Sequence, residues 1–219
     1  MDEKYKIERR AYTFDIRSEE AEDGVRILKG RPIVYNSRTN LGLFDEVIEA
    51  GALDKTDLRD VRFLVNHDTS KIPLARSRRN NSNSTMKFTV DAEGMNLDWV
   101  KLDTKNNSEA RSLASAVDRG DITGMSFMFA LDPDADVVWE GLETDHPTRH
   151  VMNIRSVFEV SAVTFPAYES AEISARSNEE ALESARRALD RAKEAEKAES
   201  VETDLLELEK AKTLIIGGK

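Results

Sequence analysis

Short segments in which apolar and polar residues alternate make up most of the chain from Tyr5 to about Val100. They include RAYTFDI, GRPIVYN, VRFLVNHD and MNLDWVKL, and they are rich in Val, Ile, Phe, Tyr and Trp. Alternation with a period of two in such residues is typical of half-buried strands. Polar breaks between the segments, such as the DAEG turn at Asp91 to Gly94, favour short connections. An antiparallel sheet or barrel is therefore predicted.

One helix is predicted within this strand-rich part, from Asn107 to Arg119. Ser108 is placed to cap its start, and Gly120 stands just past its end. A second, shorter helix is expected around Gly51 to Arg59. Strand character then returns in DITGMSFMFAL, VVWEGL and RHVMNIRSVFEVSAVTFPAY.

The composition changes near Arg176. All aromatic residues and all five prolines precede this point, whereas Ala, Glu, Lys, Arg and Leu dominate from Ser177 onward. We expect a folded domain over residues 1–176 and a helical tail over residues 177–219. The tail either pairs with another helix, in a second copy of the chain or in a scaffold, or stays a solvated, partly disordered end.

Bulk composition argues against several function classes. The net charge of −10 provides no basic excess to displace counterions from a phosphate backbone, so nucleic acid is not expected as a partner. The chain has no cysteine, which excludes cysteine peptidases and Cys-ligated zinc. No apolar run reaches the roughly 20 residues of a membrane span, and MDEKYKIERR is charged where a signal peptide is apolar. A cytosolic protein without a membrane partner is expected.

The three histidines limit the search for chemistry. His67 ends the apolar segment VRFLVNHD, where a regular strand would place it on the face of Phe63 and Val65. It is interpreted either as a catalytic imidazole at a strand end or as a structural residue. His146 and His150 lie in HPTRH, where the proline and the lack of a third ligand argue against a zinc site. Both are interpreted as loop residues, and no metal is expected.

Ser126 lies in the apolar segment GDITGMSFMFA. Gly124, two residues earlier, leaves room for another backbone or a substrate to approach closely. A buried hydroxyl needs a hydrogen-bond partner. Two interpretations therefore fit Ser126: a serine bonded to a carbonyl of the neighbouring strand, or a nucleophile.

Glu159 lies in SVFEVSAVTFPAY, where alternation places it on one side of a strand with Val157, Ser161 and Val163. Burying an unpaired carboxylate costs several kcal/mol, so such a residue ordinarily has a cation or strong donors beside it. His67 is a suitable partner. The alternative is an edge-strand glutamate that reaches solvent.

Several segments, in order, carry a resemblance to a known family: GRPIVYN, FDEVIEAGAL, NHD, DAEGM, SEARSLASAVDRGDITGMSF and FEVSAVTFPAY. Together they resemble the prohead proteases of HK97-like phages over most of residues 10–176. The resemblance implies that His67 is a general base, Ser126 a nucleophile and Glu159 the third member of a catalytic triad. In the herpesvirus assembly proteases, which are related in fold, a second histidine stands where Glu159 stands here.

The same resemblance implies an α+β fold, mainly an antiparallel β-barrel of about seven strands with surrounding helices, to which the helical tail is added. It also implies a serine endopeptidase that needs no cofactor. Its expected substrates are the scaffolding part of the phage major capsid protein precursor and the protease itself, cleaved inside the assembling procapsid in the host cytoplasm. A homo-oligomer is one further expectation.

Two rival functions stay open. The first is a catalytically inactive capsid assembly or scaffolding protein on the same fold, which would not need His67, Ser126 and Glu159 together. The second is a hydrolase of small esters. Against it, the sequence around the serine reads Gly-Met-Ser-Phe-Met and lacks the G-x-S-x-G elbow of common esterases.

Overall fold

The computed structural model describes residues 5–13, 16–21, 25–164, 178–195 and 197. The described strands are β1 (Lys6–Thr13), β2 (Arg17–Glu20), β3 (Val25–Val34), β4 (Thr39–Asn40), β5 (Asp45–Ile48), β6 (Arg62–Val65), β7 (Ala75–Arg76), β8 (Met86–Asp91), β9 (Gly94–Asp103), β10 (Gly124–Leu131), β11 (Val137–Glu140), β12 (Thr148–Val151) and β13 (Ser156–Val163). The described helices are α1 (Ser108–Asp118), α2 (residues 178–195) and a short 3₁₀ turn (Arg78–Asn80). Within the described ranges, neither α-helix is long and apolar enough to cross a membrane.

The strands form three sheets. Sheet 1 has the order β1-β10-β13-β6-β7, sheet 2 the order β2-β3-β9-β8, and sheet 3 the order β11-β12-β5-β4. Neighbouring strands are antiparallel except for the parallel pairs β13–β6 and β12–β5. The mixed, mainly antiparallel α+β fold is thus confirmed. Among the described residues the sheets do not join into one closed ring, so the expected barrel of about seven strands is not confirmed.

A single hydrophobic core connects the sheets with α1. Alternate residues of each strand supply it, as the pleat of a strand dictates. From sheet 1 come Phe127 and Phe129, whose rings stack at a centroid distance of 4.9 Å. Sheet 2 contributes Leu28 and Leu97, and α1 contributes Leu113. Residues on the other face of β10 are therefore turned away from this core.

Helix α1 confirms the helix predicted from residues 107 to 119. Its N-cap is Asn107 and not Ser108, because the Asn107 side chain accepts hydrogen bonds from the backbone N–H groups of Glu109 and Ala110. Gly120 follows the helix with a φ of 75°, a left-handed conformation that glycine adopts without steric cost. The buried face of α1 consists of Ala110, Leu113, Ala114 and Val117, as the spacing predicts.

The prediction of a helix around Gly51 to Arg59 is wrong. Turns occupy most of this segment, and Gly51 within them has a φ of 85°. Further along, the backbone of Asp57 forms a bridge with Ser156 and a hydrogen bond with Arg155. Pairing with the start of β13 therefore prevails over the local helical preference.

The turn predicted at Asp91 to Gly94 is confirmed as the hairpin between β8 and β9. Gly94 has a φ of 130° and passes close to β3, where an added Cβ atom would lie 2.1 Å from the carbonyl oxygen of Ile33. Only glycine fits at this crossing of the two strands.

The beginning of the tail lies against the domain. In α2, Asn178 and Leu182 are buried, and the guanidinium of Arg186 donates hydrogen bonds to the carbonyl oxygens of Leu142 and Thr144. The predicted boundary at residue 176 lies outside the described residues, so the division at that point stays a prediction.

Four charged side chains, Glu8, Arg10, Glu46 and Arg149, link sheets 1 and 3 in a buried cluster. Arg149 Nη1 lies 2.7 Å from Oε2 of Glu8 and 2.8 Å from Oε2 of Glu46. Arg10 donates to the same two carboxylates, each at 2.5 Å. All four side chains are at most 5% exposed. Two positive and two negative charges balance here, in surroundings where an unpaired charge costs several kcal/mol.

The pKa of Glu8 reflects this cluster. Burial by itself raises the pKa, but the charges of Arg10 and Arg149 and their hydrogen bonds outweigh it and lower the pKa from 4.5 to about 2. Since this pKa is lower in the folded protein than in the unfolded chain, the Glu8 carboxylate stabilises the fold fully above pH about 4.5. That stabilisation is lost as the pH falls through about 2.

We predict that Glu8→Gln lowers the free energy of unfolding by about 3–5 kcal/mol at pH 7, because it leaves positive charge uncompensated in a buried site. Urea unfolding measures this change. The difference in the free energy of unfolding between the variant and the wild type should become smaller as the pH approaches 2. Asp91→Asn is the control, since it breaks an exposed pair with Arg31 and should cost less than about 1 kcal/mol. Equal losses in both variants would contradict a structural role of the cluster.

Candidate active site

His67 is positioned by a change of backbone conformation at the end of β6. The strand stops at Val65, and both Asn66 and His67 have left-handed backbones, with φ angles of 51° and 54°. Asparagine tolerates this conformation well, and the Asn66 side chain is bonded to Thr164 at the end of β13. The regular alternation therefore ends before His67. The predicted shared face with Phe63 and Val65 is wrong, and the imidazole turns toward β13.

Glu159 is positioned by a β-bulge in β13. Met128 of β10 pairs with Glu159, but the next residue, Phe129, pairs with Val157, so one residue of β13 is extra. The bulge reverses the alternation, as bulges do. Val157 consequently joins the hydrophobic core while Glu159 faces His67, although regular alternation predicts the two on one side.

The imidazole of His67 and the carboxylate of Glu159 form a short contact. Nδ1 of His67 lies 2.5 Å from Oε1 of Glu159, with side-chain exposures of 9% and 2%. This pairing favours the tautomer with the proton on Nδ1 and leaves a lone pair on Nε2. Within the described ranges, Nε2 has no hydrogen-bond partner and is free to accept a proton.

Ser161 completes the surroundings of this pair. Its hydroxyl donates to Oε2 of Glu159 at 2.5 Å and accepts from the backbone N–H of His67 at 3.2 Å. One fully buried serine thus orients the carboxylate and fixes the backbone that carries the imidazole. Sequence analysis missed this role. The strand pattern contained a signal for it, because Glu159 and Ser161 are two residues apart on one strand and therefore share a face.

Ser126 lies beside this group on the neighbouring strand. It is the direct cross-strand partner of Ser161 in the β10–β13 pair, where facing Cβ atoms are about 4.5–5.5 Å apart. Its side chain is fully buried, and Oγ donates a hydrogen bond to the carbonyl oxygen of Arg10 on β1 at 2.8 Å. In the part of the chain that is described, no hydrogen bond joins Ser126 to His67.

The structure thus brings two of the three predicted site residues into contact and holds the third one strand away. His67 and Glu159 interact as the triad hypothesis requires, and the alternative of a solvent-reaching glutamate does not apply. Ser126 shows the alternative geometry, a serine bonded to a neighbouring-strand carbonyl. A rotation of its side chain is the change that would turn Oγ away from Arg10.

The other two histidines lie away from this site. His146 is in the loop before β12, as predicted, and its Nε2 lies 2.9 Å from Oδ1 of Asp45. His150 is a residue of β12 and not of a loop, and its Nδ1 lies 2.7 Å from Oε1 of Glu49. Among the described residues, no group of three or more His, Asp or Glu side chains could hold a metal ion.

A family model described as Caudovirus prohead serine protease matches residues 12–184. The chain belongs to this family. The match includes His67, Ser126 and Glu159, and it extends eight residues past the predicted domain boundary at 176. The resemblance to phage prohead proteases is thereby confirmed.

Comparison with other proteins adds one structural similarity. The structure of the bacteriophage T4 capsid assembly protease is similar, with a TM-score of 0.44 and 10% sequence identity. The aligned region covers 74% of the present chain and 99% of the T4 chain. No similar sequence was found among curated proteins.

We predict that Ser161→Ala loosens the contact between Glu159 and His67. The variant leaves Oε2 of Glu159 without a donor in a buried site, at a cost of about 1–3 kcal/mol. Nitrogen NMR of the imidazole should show one tautomer in the wild type and a mixture in Ser161→Ala, whereas Ser161→Thr, which keeps the hydroxyl, should resemble the wild type. An unchanged tautomer in Ser161→Ala would refute the positioning role.

Proposed function

We propose that this prohead serine protease family member is an active endopeptidase, with Ser126 as nucleophile, His67 as general base and Glu159 as the residue that orients the base. The observation that carries the proposal is the 2.5 Å contact between Nδ1 of His67 and Oε1 of Glu159, which leaves Nε2 as a proton acceptor. Glu159 lies on β13, which pairs directly with β10, the strand of Ser126. No metal takes part in this mechanism.

Ser126 Oγ first exchanges its hydrogen bond to Arg10 for one to Nε2 of His67. Catalytic hydrogen bonds are often completed only when substrate binds. Oγ then bonds to the carbonyl carbon of the scissile peptide while its proton passes to Nε2, and Glu159 stabilises the resulting imidazolium. The C–N bond breaks as the same proton moves to the leaving amine. Water, activated by His67, hydrolyses the acyl-enzyme and regenerates the serine.

The proposed substrate is the scaffolding part of the phage major capsid protein precursor, together with the protease itself, and the proposed place is the assembling procapsid in the host cytoplasm. Family membership supports this proposal, because the family is that of the prohead serine proteases of tailed phages. Confinement with the precursor raises the effective substrate concentration, so a modest intrinsic affinity suffices.

One observation favours a second candidate, the inactive capsid assembly protein. In the structure the proton of Ser126 is directed at the Arg10 carbonyl and not at His67. A protein that never turned this side chain would keep the fold without cleaving peptides. The buried contact of His67 with Glu159 has no evident use in such a protein.

We predict that Ser126→Ala abolishes cleavage of the purified capsid precursor, assayed on a gel, while the free energy of unfolding falls by only about 0.5–1.5 kcal/mol for one lost hydrogen bond. Ser84→Ala is a matched control, since Ser84 is also buried and also donates to a backbone carbonyl, that of Ser77. The control should cleave like the wild type. Cleavage that persists in Ser126→Ala would exclude Ser126 as nucleophile, and an inactive wild type would favour the assembly protein.

The tail, residues 177–219, is proposed to bring the protease into the procapsid by pairing with a helix of a second copy or of the scaffold. We predict that truncation after residue 197 leaves cleavage of a short peptide unchanged but reduces incorporation into procapsids. Truncation after Arg176 should also permit cleavage but should lower the free energy of unfolding by about 1.5–3 kcal/mol, since it removes the buried Leu182. Incorporation at the wild-type level in both truncations would contradict this role.

A further inference from the structure

A groove of about 490 Å³ opens beside His67. One wall is the segment that carries the histidine, since the two residues that flank it, Asn66 and Asp68, both line the groove. The opposite wall is one face of α1. Ile122, two residues before β10 begins, lies on the groove as well. The groove therefore adjoins the end of β6, next to the base, and the segment that leads into β10, while the side chains of His67 and Ser126 lie outside its lining.

The interior of this groove is aliphatic. Its apolar lining residues come from β6, from the segment that follows it, from α1 and from the segment between α1 and β10, and none is aromatic. They are Leu64, Val65, Ile72, Leu74, Leu113, Ala116 and Ile122. A groove of this size lined by branched aliphatic side chains accepts an aliphatic group better than a charged one, because a charge would lose its hydration without gaining a partner.

The charged groups at the groove already have hydrogen-bond partners within the protein. Nζ of Lys71 lies 2.7 Å from Oε1 of Glu109, and this contact raises the pKa of Lys71. The Asp68 carboxylate accepts hydrogen bonds from the hydroxyl and backbone N–H of Ser70, which lower the pKa of Asp68. The rim thus has one ion pair and one hydrogen-bonded carboxylate, and the one cation among the described lining residues, Lys71, is already paired.

Ile72 shows that the groove is incompletely covered. Its side chain is 87% exposed at the groove, the largest exposure among the described large hydrophobic residues. An isolated exposed isoleucine is unremarkable, but one at the edge of an aliphatic groove enlarges the apolar area that a ligand can cover.

We propose that this groove is a specificity subsite that binds an aliphatic side chain, Leu, Ile, Val or Met, of the peptide substrate close to the scissile bond. The inference rests on the proposed peptidase function, since the occupant is part of the substrate. Ile72 closes over the bound side chain. Residues of α1 thereby contribute to substrate selection although they lie outside the His67–Glu159 contact.

Cleavage sites test the subsite directly. The capsid precursor is digested with the wild-type protein, and the new termini are mapped by mass spectrometry. We expect an aliphatic residue at one fixed position relative to the cleaved bonds. In synthetic peptides of such a site, replacement of that residue with Ala should lower kcat/KM about 10- to 200-fold. Cleavage sites without any shared aliphatic position would overturn the proposal.

A matched pair of variants links the preference to the groove. Ser112 lines the groove, whereas Ser115, which is on the same helix and is also exposed, does not. Ser112→Trp should fill the groove and reduce kcat/KM for the aliphatic peptide at least 10-fold, with little effect on the Ala peptide. Ser115→Trp should retain the wild-type ratio of kcat/KM for the aliphatic peptide to kcat/KM for the Ala peptide. If Ser112→Trp left this ratio unchanged, the preference for an aliphatic side chain would arise outside the groove.

Labelling with a fluorophosphonate separates this inference from the proposed function. The reagent needs only the activated serine, so the control Ser115→Trp, which lies outside the groove, should be labelled at Ser126 as fast as the wild type. Absence of both labelling and cleavage in the wild type would refute the proposed peptidase. Normal labelling with an unaltered substrate preference in Ser112→Trp would refute the subsite alone.

Discussion

Arg10 connects the buried ion cluster to the candidate nucleophile. Its guanidinium is bonded to Glu8 and Glu46 between sheets 1 and 3, and its carbonyl oxygen accepts the hydrogen bond from Ser126. Because a buried cation without its partners costs several kcal/mol, the position of this residue is fixed by the cluster. The acceptor that holds Ser126 is therefore a rigid part of the fold, set by charges in another sheet.

Two local departures from regular strand geometry assemble the rest of the site. The left-handed residues at the end of β6 turn His67 toward β13, and the bulge in β13 turns Glu159 toward His67. Neither residue would face the other on ideal strands. Ser161 then holds both, since its hydroxyl contacts the carboxylate and the backbone of the histidine. Backbone irregularity is here what creates the contact.

These departures explain which parts of the fold and of the candidate site could be predicted from the sequence alone. Alternation identified most of the strands, and helical spacing identified α1, because both patterns arise from burial of one face. The partnership of His67 and Glu159 could be inferred because a carboxylate among apolar residues needs a partner. The faces that the two side chains occupy could not be inferred, because the apolar pattern of the sequence marks neither the left-handed residues after β6 nor the bulge in β13. The ion cluster was also hidden, because Glu8 and Arg149 meet only through the packing of two sheets.

The same burial that strengthens the His67–Glu159 contact also constrains the proposed catalysis. A fully buried hydroxyl must keep a hydrogen bond at every stage, so Ser126 can leave the Arg10 carbonyl only as another acceptor becomes available. Nε2 of His67 is such an acceptor once its lone pair is directed by Glu159. Exchange between two comparable hydrogen bonds costs little free energy, whereas loss of one without replacement costs about 1–3 kcal/mol. In the proposed mechanism, the orientation of His67 by Glu159 and Ser161 therefore decides whether the serine turns, before any peptide bond is attacked.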